Sequence, residues 1–174
     1  MRVAVAGTPG TGKTAAVSRL EGTIDLECLH LNAVIREHGF HRGRDSDRDT
    51  LIADLGALEG WLEGREDVLF ESHLAHHLPA DRVVVLRCRP AELERRLRDR
   101  GESAASAHEN AQSEALDVIL AEAVDRHGPD RVYELDTTAR TVADVADVIA
   151  AVVAGERDPR IGIVDFTDSI DDPG

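Results

Sequence analysis

The stretch from Arg2 to Leu20, RVAVAGTPGTGKTAAVSRL, decides the fold. Arg2–Ala6 is a short apolar run of strand length. Gly7-Thr8-Pro9-Gly10-Thr11-Gly12-Lys13-Thr14 then completes a G-x-x-x-x-G-K-[ST] phosphate loop. From about Gly12 to Leu20 the apolar spacing is helical. Glycines at these places let successive backbone N–H groups turn inward around phosphates, and the start of the helix adds its positive end. Lys13 is positioned to reach the β- and γ-phosphates of a nucleoside triphosphate, and the Thr14 hydroxyl to hold Mg²⁺. The chain has 20 basic residues, and Lys13 is the single lysine among them.

Outward from this stretch, strand-length apolar runs alternate with helical patterns. A weaker run, Ile24–Leu29, leads into a short helix at Asn32–His38 with Asn32 as its cap. Gly39–Asp49 is polar and reads as a loop, and from Thr50 the series Leu51, Leu55, Leu58, Leu62 has helical spacing as far as Gly64. Asp67–Phe70 and Arg82–Leu86 read as buried strands. Pro90 opens a helix through Arg100, and a long helix runs from Ala107 to about His127, stopped by Gly128-Pro129. Val132–Leu135 is a last strand, and Thr141 caps a helix with an apolar stripe at Val142, Val145, Val148, Ile149 and Val152. Five strands separated by helices, without hairpin signals, predict a three-layer α/β/α fold around a five-stranded parallel sheet. Residues 155–174 read as an extended acidic tail that docks Ile161–Val164 or Phe166 onto the body.

With 174 residues the chain has the length of one domain. It is 42% hydrophobic and 31% charged, a globular composition, with a formal charge of −14. That excess argues against a broad nucleic-acid face, against sequence-specific nucleic-acid binding and against an anionic membrane surface as partner. It suits high salt, where self-repulsion is screened. Cys28 and Cys88 sit in apolar stretches and suggest no disulfide framework. With neither a signal peptide nor an apolar run of membrane-spanning length, a cytoplasmic protein is expected. The HLAHH segment, His73–His77, lacks a nearby cysteine or spaced carboxylate and does not make a metal motif by itself.

In order and spacing, GTPGTGKT, HLNAVIREHGF, RDSDRDT, VLFESH, VVVLRCRPAELERRLRDRG and ENAQSEALDVILAEA resemble the nuclear or archaeal adenylate kinase family of the isoenzyme-six type. These are dual adenylate kinases and ATPases of small-ribosomal-subunit assembly. The resemblance covers about residues 1–154 and leaves the tail outside. It implies a P-loop NTPase fold of the nucleoside-monophosphate-kinase type, with a flap at about 30–53 and a lid at about 99–109. It implies Gly10, Gly12, Lys13, Thr14 and Ala15 as ATP phosphate contacts, Arg100 as a lid contact to ATP with Arg96 beside it, and Arg36 as the clamp on the acceptor phosphate. Arg87 is a further functional candidate, with a solvated surface charge as the alternative. Where the family carries Asp-x-His, this chain has Glu71-Ser72-His73. Thr14 and Glu71 are the Mg²⁺ candidates, with Glu71 one methylene longer, and His73 resembles the residue that positions water for hydrolysis. The lid departs as well, because ESAASAHEN lacks the family's usual aromatic and basic residues. Asn110 and Glu114 match the family pattern, although a cap and a surface carboxylate would explain them equally.

The resemblance thus implies ATP and AMP as substrates, Mg²⁺ as cofactor, transfer of the γ-phosphoryl from ATP to AMP, an accompanying ATPase activity, and a basic small-subunit ribosomal protein as partner. The other readings are a small-molecule P-loop kinase, such as one for shikimate or gluconate, and an assembly ATPase with incidental kinase activity.

Overall fold

A computed structural model describes residues 1–45 and 50–170. Strand β1 (Arg2–Gly7) lies at the centre of a five-stranded sheet with β2 (Glu27–His30), β5 (Val68–Glu71), β6 (Arg82–Arg87) and β7 (Val132–Asp136), in the order β2-β5-β1-β6-β7. All four pairings are parallel. The sheet is buried on both faces because helices cover each. Along β1 the side chains alternate: Val3 and Val5 pack with α1 (Lys13–Leu20) and α7 (Val142–Ala154), whereas Ala4 and Ala6 face the opposite core. That second core takes residues from α2 (Leu31–His38), α3 (Leu55–Leu62) and α6 (Val118–His127). The expected three-layer architecture is therefore observed.

The region after α2 differs from the sequence reading. His41–Asp45 is strand β3, and Thr50–Ala53 is strand β4, paired antiparallel with it. The expected loop thus contains a strand, the expected helix start at Thr50 is wrong, and a hairpin exists where none was foreseen. The rest of the RDSDRDT segment, residues 46–49, lies outside the described residues. Leu51 and Ala53 pack against the core while Ile52 between them is half exposed, which is the period of a strand. Helix α3 begins at Leu55 because Asp54 caps it, its Oδ1 accepting from the Ala57 N–H at 3.1 Å. The same carboxylate receives Arg42 of β3 at 2.9 and 3.1 Å, which ties the hairpin to the helix.

Three further expectations are corrected. Helix α2 starts at Leu31, and Asn32 does not cap it; its Oδ1 instead accepts from Ser72 Oγ at 3.2 Å. The long helix from Ala107 to His127 is two: α5 (Ala104–Ala115) and α6 are divided at Asp117, whose φ of 54° no α-helix accommodates. Glu114 is buried, not a surface carboxylate. The segment at 99–109 comprises the end of α4 (Pro90–Asp99), a short turn and the first half of α5, with Leu93, Leu97, Cys88 and Ala107 packed between them.

The tail docks as expected, through Phe166 and by backbone pairing. Phe166 is buried, Glu134 N donates to Arg160 O at 2.8 Å, and Ile161 and Ile163 stay exposed. Both cysteines are free, and no helix among the described residues is long and apolar enough to cross a membrane.

Candidate active site

The loop between β1 and α1 keeps its shape through glycine. Gly7 has φ 144°, and a Cβ there would stand 2.5 Å from the Leu86 carbonyl oxygen. Gly10 has φ 93°, and a Cβ would press on Leu93 and Leu97 of α4 at 2.9 Å. Lys13 folds back over the loop and donates to the carbonyls of Gly7 at 2.8 Å and Thr8 at 3.1 Å. Burial pushes its ammonium pKa down to about 8, with the Arg100 charge acting in the same direction and Glu71 opposing.

Sheet register brings the carboxylate to this loop. Val5 pairs with Glu71, so the end of β5 stands beside the exit of β1. Thr14 Oγ1 donates to Glu71 Oε1 at 3.1 Å, and the same oxygen lies 2.9 Å from His30 Nδ1 at the end of β2. Burial lowers the His30 pKa, but hydrogen bonds donated to Glu21 and Glu71 outweigh it and the net shift is upward. A hydroxyl and a carboxylate in contact form a hard oxygen donor set of the kind that suits Mg²⁺. Just past β5, His73 is held with its pKa depressed to about 4, first by burial and then by the nearby Lys13, His76 and His77. It is therefore a neutral imidazole at physiological pH.

These groups line one cavity of 480 Å³, formed by Gly10, Gly12, Lys13, Thr14 and Ala15 with Asn32, Glu71, His73 and Arg100. A second cavity of 350 Å³ adjoins it across Gly10, Gly12 and Arg100. Its other walls are Thr11, Arg96, Asp99, Thr137, Arg140, Val142 and Val145. Arg96 is held by Glu92 at 2.8 Å and by the carbonyls of Thr137 and Thr138 at 3.2 and 3.1 Å. The structure thus gathers Gly10, Gly12, Lys13, Thr14, Ala15, Glu71, His73 and Arg100 into one space and places Arg96 in the neighbouring one. Arg36 stands exposed on α2 and lines neither cavity.

Thr137 and Arg140 were not foreseen at the site, and for Arg87, a functional candidate, burial excludes the alternative of a surface charge. The turn between β7 and α7 contributes Thr137 and Arg140 to the second cavity, and the signal was the polar Asp136-Thr-Thr-Ala-Arg140 run at a strand's carboxyl end. Arg87 is no surface charge: it is buried and pairs with Glu114 at 2.7 Å, with Glu134 at 2.6 Å and with Asp117. Glu114 also accepts from the Thr8 hydroxyl and, at 3.1 Å, from Cys88 N, so this buried network reaches the phosphate loop.

A parallel α/β sheet with a phosphate loop, a strand-end carboxylate beside it and two adjoining cavities defines an enzyme of the P-loop kinase class. Solved structures agree on the fold. A gluconokinase from Sinorhizobium meliloti superposes with a TM-score of 0.56 at 19% identity, covering 89% of this chain and 92% of that one. A deoxyadenosine kinase from M. mycoides with bound dATP gives 0.58 at 13%, covering 88% and 100%. The family model described as AAA domain matches residues 3–117. A protein of Natronomonas pharaonis named "Putative adenylate kinase" is 59% identical over 170 residues, covering 98% of this chain and 100% of its own length. One of the same name from Halobacterium salinarum is 54% identical over 171 residues, with the same coverage. The chain belongs to the family of these proteins, and its residues 3–117 belong to the AAA domain family.

Proposed function

We propose that the protein is an adenylate kinase that transfers the γ-phosphoryl group of ATP to AMP and yields two ADP. The observation that carries this reading is the contact of Thr14 with Glu71 beside the buried Lys13, inside a cavity that shares a wall with a second one. The high identity to relatives bearing the adenylate kinase name supports the choice of acceptor. In this reading the loop N–H groups, Lys13 and Arg100 hold the triphosphate. The adenine side of ATP lies in the second cavity, between Arg100 and the Thr137–Arg140 turn. Thr14 and Glu71 would hold Mg²⁺, which when bound neutralises charge on the phosphate oxygens. In-line transfer needs charge neutralisation, alignment and exclusion of water, with no covalent intermediate. Arg36 clamps the AMP phosphate from the flap at 30–53, which must then swing or fold inward on binding. Arg96 acts from α4 by holding the Thr137–Arg140 turn in place.

Hydrolysis of ATP is the second activity, and the observation that favours it is a neutral His73 in the same cavity as Lys13 and Glu71. A neutral imidazole there can accept a hydrogen bond from attacking water and so position it. The charge of −14 favours a basic protein partner, and the family resemblance implies one from the small ribosomal subunit. The test is ADP production in molar KCl with Mg²⁺ and ATP, alone and with AMP, CMP, UMP, GMP, shikimate or gluconate added. Strong stimulation by AMP is expected, and stimulation by shikimate or gluconate instead would overturn the reading.

A further inference from the structure

The turn that follows His73 brings two imidazoles against a carboxylate from a distant helix. His76 and His77 belong to the 3-10 turn Ala75–His77, and Glu122 stands on α6. His76 Nε2 lies 2.8 Å from Glu122 Oε2, and His77 Nε2 lies 3.8 Å from the same oxygen. One ligand atom from each of the three residues falls within 4.8 Å of the others. Tetrahedral coordination with bonds of about 2.0–2.2 Å separates neighbouring ligand atoms by about 3.3 Å, a distance the two measured separations bracket.

The surroundings fit a built site. Helix α6 and the turn are already locked together, since His127 Nε2 lies 2.7 Å from the His76 carbonyl oxygen. His76 is 1% exposed, and its Nδ1 is buried without a hydrogen-bond partner. Burying an unpaired polar atom costs about 1–3 kcal/mol, and an apolar side chain would fill that space without the cost. What an imidazole offers and an apolar residue lacks is the Nε2 aimed at Glu122. The site is reachable from solvent, because the His77 and Glu122 side chains are 33% and 48% exposed. Imidazole and carboxylate together select a borderline divalent transition ion over Mg²⁺, which prefers oxygen throughout.

We infer that His76, His77 and Glu122 bind one divalent transition-metal ion of the Zn²⁺ type, with a water completing the coordination. The ion fastens the turn that follows His73 to α6. The site is separate from the Thr14–Glu71 pair and stands whatever the phosphate acceptor is.

The test is a calorimetric titration of nucleotide-free protein with Zn²⁺ alone, repeated with Co²⁺ while its visible spectrum is recorded. Wild-type protein should bind one equivalent, give the intense visible bands of four-coordinate Co²⁺, and melt at a higher temperature with Zn²⁺ present. His77→Ala and Glu122→Gln alter partly exposed side chains, so both should fold, as circular dichroism will verify. Each should weaken Zn²⁺ binding by at least about tenfold and lose the Co²⁺ bands. No saturable Zn²⁺ binding by the wild type, or wild-type affinity in both folded variants, would overturn the inference.

Discussion

Thr14 and Glu71, 57 residues apart in sequence, meet at 3.1 Å because β1 and β5 pair with Val5 opposite Glu71. Their contact joins the first turn of α1 to the end of the neighbouring strand. Glu71→Gln keeps the shape and removes the negative charge. It should raise the Mg²⁺ concentration needed for half-maximal turnover and lower the maximal rate by about 10²-fold or more, the usual scale for losing one electrostatic contact to a transition state. ATP binding without Mg²⁺ should change little. Steady-state rates across a Mg²⁺ series, beside nucleotide binding in chelator, decide this; an unchanged Mg²⁺ dependence would refute the role.

Lys13 should couple ATP binding to a proton. Burial holds its pKa at about 8 in the free protein, and a bound triphosphate favours the charged ammonium. Between pH 8 and 9 the free side chain is largely neutral, so binding takes up a proton and affinity falls as pH rises through that window. Calorimetry in two buffers of different ionisation enthalpy measures the uptake. Lys13→Arg should abolish it, and Lys13→Ala should reduce both kinase and ATPase turnover by at least about 10²-fold with circular dichroism unchanged.

Arg36 and His73 should separate the two activities. Arg36→Ala should depress AMP-dependent turnover far more than hydrolysis, since water needs no phosphate clamp. His73→Ala should do the reverse. The histidine also carries a stability signature: its folded pKa of about 4 lies below the ordinary value, so unfolded chains bind more protons in between. Folding stability should therefore fall as pH drops from about 6.5 to about 4, and His73→Gln should flatten that slope. Paired rate measurements and denaturant melts across this range test both statements; equal losses of both activities in both variants would contradict the division of roles.

Glu114 should be worth more to the fold than its place in an Ala-rich helix suggests. Replacing it with Ala leaves the Arg87 guanidinium buried with a main partner missing and frees Thr8 in the phosphate loop. A loss of about 3–5 kcal/mol is the usual result of breaking a buried ion pair from one side. Thr8→Val removes only the hydroxyl contact and should cost about 0.5–1.5 kcal/mol. Urea unfolding in molar KCl measures both.

The five-stranded sheet was legible because four of its strands hold compact apolar runs, with β2 the weaker one, and most of its helices repeat apolar residues every three or four positions. The hairpin was not. Leu51 continues the helical series Leu55, Leu58, Leu62 in phase, and what breaks the series is the Asp54 carboxylate, shared between the α3 cap and Arg42. The phosphate loop was legible because its chemistry is local, and Glu71 followed from its place at a strand end. Arg87 was obscure because one arginine among 19 shows nothing of its burial; its partners Glu114, Asp117 and Glu134 come from two other elements and the turn between α5 and α6. The cluster of His76, His77 and Glu122 was hidden for the same reason, since 46 residues separate His76 from its carboxylate.

The destination of the γ-phosphoryl group separates a kinase from a plain ATPase. ATP labelled in that group, incubated with AMP, Mg²⁺ and the protein in molar KCl, should place label in the β-phosphate of ADP, with a smaller share in inorganic phosphate. Label confined to inorganic phosphate whether or not AMP is present would contradict the account.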